Sequence, residues 1–226
     1  MSRAGAPRAT DALLFDLDGT LVDSAQGLAD TANDMRTRRG LPPLHYAALR
    51  PGAGSGARGM LAVAFDSTPC QPGYDALREE FLDHYPVRML ERACLFDGVS
   101  SVLDTLDNAG VPWGIVTNKA MRFAEPMAQA LGLLPRAGVL VGGDSTPHTK
   151  PHPAPLLEAA RRLAVPASRC VYLGDDQRDI EAGRAAAMGT LAAGWGYLGH
   201  GAAPHTWGAD ALLPQPLSLL QWLELA

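Results

Sequence analysis

The chain has 226 residues, 47% of them hydrophobic, and a formal net charge of −5. This length can form one large domain or two unequal ones, and the acidic balance argues against a nucleic-acid partner. No apolar run approaches the roughly 18 residues of a membrane span, so no membrane partner is expected. Three cysteines without CxxC spacing, and the lack of an apolar stretch in Met1 to Thr10, favour a cytoplasmic location without a signal peptide.

The first predicted elements in chain order are a short strand and a long helical region. Ala12 to Phe15 is an apolar run typical of a buried strand. From Ser24 to about Leu95 apolar residues recur at helical spacing, and no strand is expected there. Three helices are predicted in that region, from Ser24 to Gly40, at 57–65 and at 74–91, and Pro86 is expected to kink or split the last one.

From Phe96 onward, predicted helices and strands alternate. The helices lie at 99–108, 120–131, 153–163, 180–188 and 217–225, and the strands at 113–117, 139–141, 171–173, 190–193 and 209–213. Such alternation predicts an α/β fold, a doubly wound parallel sheet with helices on both faces. Because the first strand precedes the helical region, we expect a core domain formed by residues 1–23 and 96–226, and an inserted helical cap domain at 24–95.

Reactive side chains follow three of the predicted strands. They are Asp16 and Asp18 after the first strand, Thr117 and Asn118 at the end of the second, and Asp175 after the strand at 171–173. The carboxyl ends of parallel strands meet at one edge of the sheet, where ligands bind in such folds. Three carboxylates at one edge repel one another unless a hard cation such as Mg²⁺ joins them.

The same residues suit phosphoryl transfer. The Thr117 hydroxyl and the ammonium of Lys150, on a loop that can reach this edge, are donors of the kind that phosphoryl oxygens accept. Asp16 is predicted to be a nucleophile that forms an aspartyl-phosphate. Asp18 is predicted to be the acid that protonates the leaving group, and later the base that activates water.

Four motifs in order resemble those of the haloacid dehalogenase (HAD) superfamily. They are Asp16-Leu17-Asp18-Gly19-Thr20, Val116-Thr117-Asn118, Lys150-Pro151 and Gly174-Asp175-Asp176. The resemblance implies that Mg²⁺ is bound by the Asp16 carboxylate, the Asp18 main-chain carbonyl and Asp175. It also implies that Thr117, Asn118 and Lys150 hold the phosphoryl oxygens, and that the helical insertion is a mobile cap that excludes water from the site.

Asp176, Asp179 and Lys119 lie close to these motifs in the sequence. Either aspartate could contact the metal through water, but acids are also common at helix starts. We expect Asp179 to cap the following helix and leave Asp176 open between the two roles. Lys119 is predicted to face solvent, because Lys150 matches the motif better.

Two features narrow the reaction within the superfamily. Asp18 favours a phosphate ester, since the dehalogenase relatives resemble this pattern but lack the second acid. Residues 24–95 contain no lysine, which excludes the phosphonate-cleaving relatives that use a lysine in the cap. A catalytically idle scaffold that binds a phosphorylated ligand is an alternative of another class, although an idle copy would be expected to have lost some of the motif residues.

Substrate choice is expected to depend on arginines around the cap. Arg58 opens a helix in the insertion and Arg122 follows the Thr117 loop, so each is a candidate to bind a substrate carboxylate. For each of them, a solvated surface arginine is an equally good interpretation.

A narrower resemblance is to the phosphoglycolate-phosphatase-like branch, and within it to N-acetylmuramic acid 6-phosphate phosphatases of cell-wall recycling. The stretches that carry it are 39–43, 118–126, 174–184, 195–197 and 207–210. The expected substrate is a small carboxylate-bearing phosphate ester, N-acetylmuramic acid 6-phosphate first, with phosphoglycolate or a range of sugar phosphates as alternatives. Both a monomer and a homodimer are compatible with the sequence.

Overall fold

A computed structural model describes residues 10–199 and 201–225 and contains a six-stranded parallel sheet. The strands are β1 (Ala12–Phe15), β2 (Val22–Asp23), β3 (Cys94–Leu95), β4 (Trp113–Val116), β5 (Val139–Val141), β6 (Cys170–Gly174), β7 (Gly189–Ala193) and β8 (Ala211–Leu213). The helices are α1 (Ala25–Arg38), α2 (Tyr46–Leu49), α3 (Gly56–Phe65), α4 (Tyr74–Arg88), α5 (Val99–Asn108), α6 (Met121–Ala130), α7 (Ala154–Leu163), α8 (Gln177–Ala185) and α9 (Ser218–Trp222). The sheet order is β5-β4-β1-β6-β7-β8, which confirms the predicted α/β fold.

Strand β1 lies in the middle of this sheet, between β4 and β6. It is buried along its whole length, and its side chains alternate between the two faces. Leu13 and Phe15 pack into one hydrophobic cluster, while Ala12 and Leu14 pack into another. Burial on both faces explains why the strand is an unbroken apolar run. It also places Asp16, the next residue, at the centre of the carboxyl edge.

Helices α1 to α4 lie in the chain between β2 and β3. These two short strands pair antiparallel, with Val22 opposite Leu95 and Asp23 opposite Cys94. The expectation of no strand at 24–95 is therefore wrong at β3, because a two-residue strand carries no periodic pattern. The pair joins the points where the chain enters and leaves the helical region. The division into a core and a cap domain stays a prediction.

Several predicted boundaries shift. Helix α8 begins at Gln177 instead of Ile180, because a capping box starts it. Helix α4 continues through Pro86, which lies in its last turn. Helix α9 is shorter than predicted, and the interpretation of the N-terminus falls on residues 1–9, outside the described part of the chain. Among the described residues, no helix combines the length and the hydropathy needed to cross a membrane.

Candidate active site

The carboxyl edge of the sheet opens into a cavity of about 400 Å³. Strands β1, β4 and β6 place Asp16, Thr117 and Asp175 along it, and residues of α1, α3 and α4 form the opposite wall. The cavity is lined by all eight of the residues predicted for the site: Asp16, Asp18, Arg58, Thr117, Asn118, Arg122, Lys150 and Asp175. The structure thus brings the predicted set together, while the role of each residue stays a prediction.

Lys150 is buried at the centre of the carboxylates. Its Nζ lies 3.0 Å from Oδ1 of Asp16 and 2.7 Å from Oδ1 of Asp179. The hydroxyl of Tyr172, 2.7 Å away, and the carbonyl of Val116, 3.2 Å away, complete its contacts. Burial acts to lower the pKa of Lys150, but the two carboxylates outweigh it and the pKa lies above its usual value. Lys150 is therefore a fixed positive charge.

The pKa of Asp16 is set by opposing effects of its surroundings. Burial raises its pKa to about 6, Lys150 acts against that rise, and the charge of Asp179 adds to it. Oδ1 of Asp16 accepts a hydrogen bond of 2.7 Å from the Leu17 amide and also faces Lys150. Within the described part of the chain no hydrogen bond is made to Oδ2. That oxygen is free to react or to bind a ligand.

Three carboxylates form a cluster that fits a hard divalent cation. Oxygens of Asp16, Asp175 and Asp179 all lie within 4.8 Å of one another. Burial, and then the charges of the other two acids, raise the pKa of Asp175 well above its usual value. Such a set is electrostatically unfavourable alone and favourable around a cation with oxygen ligands. The side chain of Asp18 is not part of the cluster.

Asp175 is held by groups distant from it in sequence. The hydroxyl of Thr20 donates to its Oδ1 over 3.1 Å, and the amide of Tyr197 donates to its Oδ2 over 2.8 Å. Gly19 has a φ of +85°, and a Cβ there would lie 2.2 Å from Oδ2 of Asp175. Only glycine lets this turn of the first motif pass so close to the carboxylate.

Asp176 and Asp179 both cap helix α8. The side chain of Asp176 accepts from the Arg178 amide, and Asp179 accepts from the Asp176 amide over 3.0 Å. The capping expected for Asp179 is confirmed, but the residue also contacts Lys150. Since both of its oxygens are engaged, Asp179 supports the cluster more than it offers a free ligand atom. Burial acts to raise the pKa of Asp176, but the ion pair with Arg178 outweighs it and the pKa lies below its usual value.

Lys119 does not face solvent, so that prediction is wrong. Its side chain is 7% exposed and its Nζ lies 3.1 Å from Oδ2 of Asp18. It also donates to the Tyr85 hydroxyl over 2.7 Å. The sequence pattern could not show this, because Tyr85 lies on α4, far away in the chain. Asp18 additionally accepts a short hydrogen bond from the Ser24 hydroxyl.

Asn118 lines the cavity, but its side-chain amide is hydrogen-bonded to the backbone of Lys150. Its Nδ2 donates to the Lys150 carbonyl over 3.0 Å, and its Oδ1 accepts from the Lys150 amide over 2.9 Å. This pairing positions the Lys150 loop, so a phosphoryl contact by the Asn118 side chain has only its second N–H left. The Thr117 hydroxyl is buried and accepts from the Lys119 amide over 3.2 Å. A hydroxyl can accept and donate at once, so Thr117 retains a donor for a ligand.

Arginines surround the mouth of the cavity. Arg58 and Arg122 are exposed there, as is Arg78 of α4, which the sequence interpretation did not single out. Neither Arg58 nor Arg78 has an ion pair or hydrogen bond among the described residues. Arg178 was also missed. It binds Asp176 and donates to the Gly54 carbonyl over 2.8 Å, and its position two residues after Asp176 is the only local signal for it.

Comparison with known proteins identifies the family. The model of the haloacid dehalogenase-like hydrolase family matches residues 13–193. The chain belongs to this family. A "phosphoglycolate phosphatase" of Xanthomonas campestris pv. campestris is 49% identical over 208 residues, covering 92% of this chain and 94% of the relative. An "N-acetylmuramic acid 6-phosphate phosphatase" of Pseudomonas aeruginosa is 41% identical over 215 residues, covering 95% of each.

A solved structure has the same HAD fold. The crystal structure of a predicted phosphoglycolate phosphatase from Haemophilus somnus gives a TM-score of 0.83 at 24% identity, covering 95% of this chain and 98% of the other. At that identity the likeness shows the fold alone. With the family model and the similar relatives, it makes this protein a HAD-family phosphatase.

Proposed function

We propose that this HAD phosphatase is a Mg²⁺-dependent phosphomonoesterase that acts through an aspartyl-phosphate on Asp16. The observation that carries the proposal is the contact between Asp16 and Lys150 at 3.0 Å, inside a cluster with Asp175 and Asp179. A largely enclosed carboxylate next to a fixed cation, with one oxygen free, is suited to attack a phosphorus atom whose oxygens need positive charge.

The proposed reaction has two displacements. In the first, an oxygen of Asp16 attacks phosphorus, the ester P–O bond breaks, and Asp18 gives a proton to the departing alkoxide. In the second, Asp18 takes a proton from water, which attacks the phosphorus and releases inorganic phosphate with Asp16 restored. Thr117 and Lys150 hold the phosphoryl oxygens in both steps.

The residues present fit a divalent cation. Asp16, Asp175 and the main-chain carbonyl of Asp18 would hold Mg²⁺, since all three offer the oxygen ligands that this ion prefers. When bound, the ion supplies charge neutralisation for the phosphoryl group. Asp179 keeps Lys150 in place beside it.

We propose N-acetylmuramic acid 6-phosphate as the substrate, which would place the enzyme in cell-wall recycling. A cavity of about 400 Å³ suits a ligand of sugar size better than a two-carbon acid. Apolar side chains on its wall, Leu28, Phe81 and Phe123 among them, could pack on a sugar ring and its acyl groups. The cytoplasmic location and the monomeric or homodimeric state stay predictions from the sequence.

Phosphoglycolate is the second candidate. The relatives named phosphoglycolate phosphatase reach 49% identity, and those named N-acetylmuramic acid 6-phosphate phosphatase reach 41%. Both esters carry a carboxylate that the arginines at the mouth could bind.

A substrate panel tests the proposal. We expect kcat/KM for N-acetylmuramic acid 6-phosphate to exceed that for phosphoglycolate and for neutral hexose phosphates by about tenfold or more, the discrimination worth roughly one well-made polar contact. Released phosphate is measured at equal enzyme concentration with excess Mg²⁺. A higher value for phosphoglycolate would assign the second candidate, and equal values for all esters would remove the claim of specificity.

Arg58→Ala is expected to lower kcat/KM for carboxylate-bearing esters about 10- to 30-fold and for neutral hexose phosphates less than threefold, because only the former offer a second anion. Arg92→Ala is the matched control, since Arg92 is an exposed arginine near the end of the helical region that does not line the cavity. Equal losses on both substrate classes would show that Arg58 is structural. Arg78→Ala in the same assay shows whether Arg78 of α4 also binds the substrate carboxylate.

A further inference from the structure

Lys119 is a buried cation shared between the sheet edge and helix α4. Its Nζ lies 3.1 and 3.2 Å from the two carboxylate oxygens of Asp18 and 2.7 Å from the Tyr85 hydroxyl. With only 7% of its side chain exposed, this ammonium needs both partners to offset the loss of hydration. The chain contains only two lysines, Lys119 and Lys150, and both line this cavity with their side chains largely enclosed.

The backbone of Lys119 is held firmly. Its amide donates to the Thr117 hydroxyl over 3.2 Å, and its carbonyl accepts from the Gly143 amide over 2.8 Å. A Cβ at Gly143 would lie 2.3 Å from the Asn118 carbonyl oxygen, so the two turns are in direct contact. The position of the Lys119 side chain is therefore set by its two partners and not by a mobile loop.

The second partner of Lys119, Tyr85, is held in place by aromatic packing. It is buried in α4, its ring stacks on Phe81 at 6.0 Å, and it meets Phe123 of α6 edge-on at 5.4 Å. Its hydroxyl reaches Lys119 only while α4 lies against the cavity. The contact thus joins the inserted helices to the acid of the first motif through one side chain.

We propose that Lys119 is a positioning residue that orients Asp18 toward the leaving group when Tyr85 of α4 binds it. The inference rests on the proposed function of Asp18 as the proton donor. In this arrangement the placement of the inserted helices over the site and the orientation of the acid are coupled, because one ammonium bonds to both. Lys119 contributes no atom to the bonds that form or break.

Leaving-group dependence separates this role from a merely structural one. An alkyl phosphate leaves as an alkoxide that needs a proton, whereas p-nitrophenyl phosphate leaves as a stabilised phenolate that does not. In single-turnover assays of leaving-group release, which isolate the first displacement, Lys119→Met is expected to lower the rate for N-acetylmuramic acid 6-phosphate about 30-fold and for p-nitrophenyl phosphate less than threefold, since misplaced catalytic groups cost up to about 100-fold. Steady-state kcat falls for both esters, because the second displacement needs Asp18 whichever group has left. If the wild-type enzyme prefers phosphoglycolate, that ester is used in this assay in place of the sugar phosphate.

A double-mutant cycle tests whether Lys119 acts through Asp18. In an Asp18→Asn background, Lys119→Met is expected to change the single-turnover rate of leaving-group release by less than about twofold for both esters. For p-nitrophenyl phosphate this rate stays measurable, because the phenolate leaves without a proton. Tyr85→Phe alone should lower the single-turnover rate on the alkyl ester about fivefold. Added to Lys119→Met, it should cause no further loss. Tyr74→Phe, another buried tyrosine of α4 that does not line the cavity, is the control and should behave as wild type.

Equal losses of the single-turnover rate on both esters, or a further loss of that rate from Lys119→Met in the Asp18→Asn enzyme, would overturn the inference in favour of packing or direct substrate binding. If Lys119→Met fails to fold, Tyr85→Phe alone decides, because a wild-type ratio of the single-turnover rates for the two esters contradicts the proposal. Asp16→Asn is run beside them. Phosphate release by that variant would remove the proposed function and this inference with it, whereas a silent Asp16→Asn with a wild-type ratio removes only the inference.

Discussion

Asp16→Asn is expected to lower phosphatase turnover by about 10⁵-fold, the scale on which loss of a nucleophile acts in other enzymes. The amide preserves the size of the side chain and can still accept the Leu17 hydrogen bond of 2.7 Å. It lacks the anionic oxygen that would attack phosphorus and the charge that faces Lys150. Because burial raises the pKa of Asp16 to about 6, removing its charge relieves an unfavourable burial and the fold should persist.

Phosphate release from p-nitrophenyl phosphate and from the best alkyl ester measures this loss, and thermal melting measures the fold. Asp83→Asn is the matched control, since Asp83 is an exposed aspartate of α4 outside the cavity. It should retain wild-type rates. Turnover by Asp16→Asn above about 1% of wild type, in protein free of contaminating phosphatase, is incompatible with Asp16 as the nucleophile.

The central sheet and the residues at its edge were predictable because their signals are local. The apolar run at 12–15 and the residues that follow it sit together in the sequence, so Asp16 could be placed at a strand end without any tertiary information. Parallel pairing then brings Thr117 and Asp175 to the same edge. Strand order and long-range registers needed the structure.

Contacts made between distant segments could not be predicted. The paired strands β2 and β3 have two residues each and offer no periodicity. The contact between Lys119 and Tyr85 was not predictable, because Tyr85 lies 34 positions earlier in the chain, on a helix whose packing no local pattern fixes. Asp179 was predictable in part. Its capping contact is with Asp176, three residues away in the sequence, whereas its contact with Lys150 is long-range and could not be predicted.

The second large effect concerns the metal. Removing divalent cations with EDTA is expected to lower turnover about 10³-fold or more, because an incoming phosphate ester would then meet three carboxylates whose charge only Lys150 offsets. Added Mg²⁺ should restore the rate and raise the melting temperature, since a ligand that binds only the folded state stabilises it. The wild-type rate persisting in EDTA would contradict the proposed cofactor.

Acidification should weaken Mg²⁺ binding. The pKa of Asp16 is raised to about 6, first by burial, and the pKa of Asp175 lies well above its usual value, so protons occupy the cluster where ordinary aspartates are already ionised. Metal binding must displace those protons, so the affinity falls as the pH drops from about 7.5 to about 5.5. Isothermal titration at the two pH values measures the difference.

Asp175→Asn separates the metal site from the fold. The variant should lose the Mg²⁺-dependent rise in melting temperature and about 10³-fold in turnover. Without metal it should melt no lower than the wild type, because losing one buried charge from a repelling cluster offsets the weaker acceptor offered to Thr20 and Tyr197. If the variant still gains stability from Mg²⁺, the metal does not bind Asp175. If the variant melts far lower than the wild type without metal, the Asp175 carboxylate stabilises the fold, and Lys150 already compensates the repulsion within the cluster.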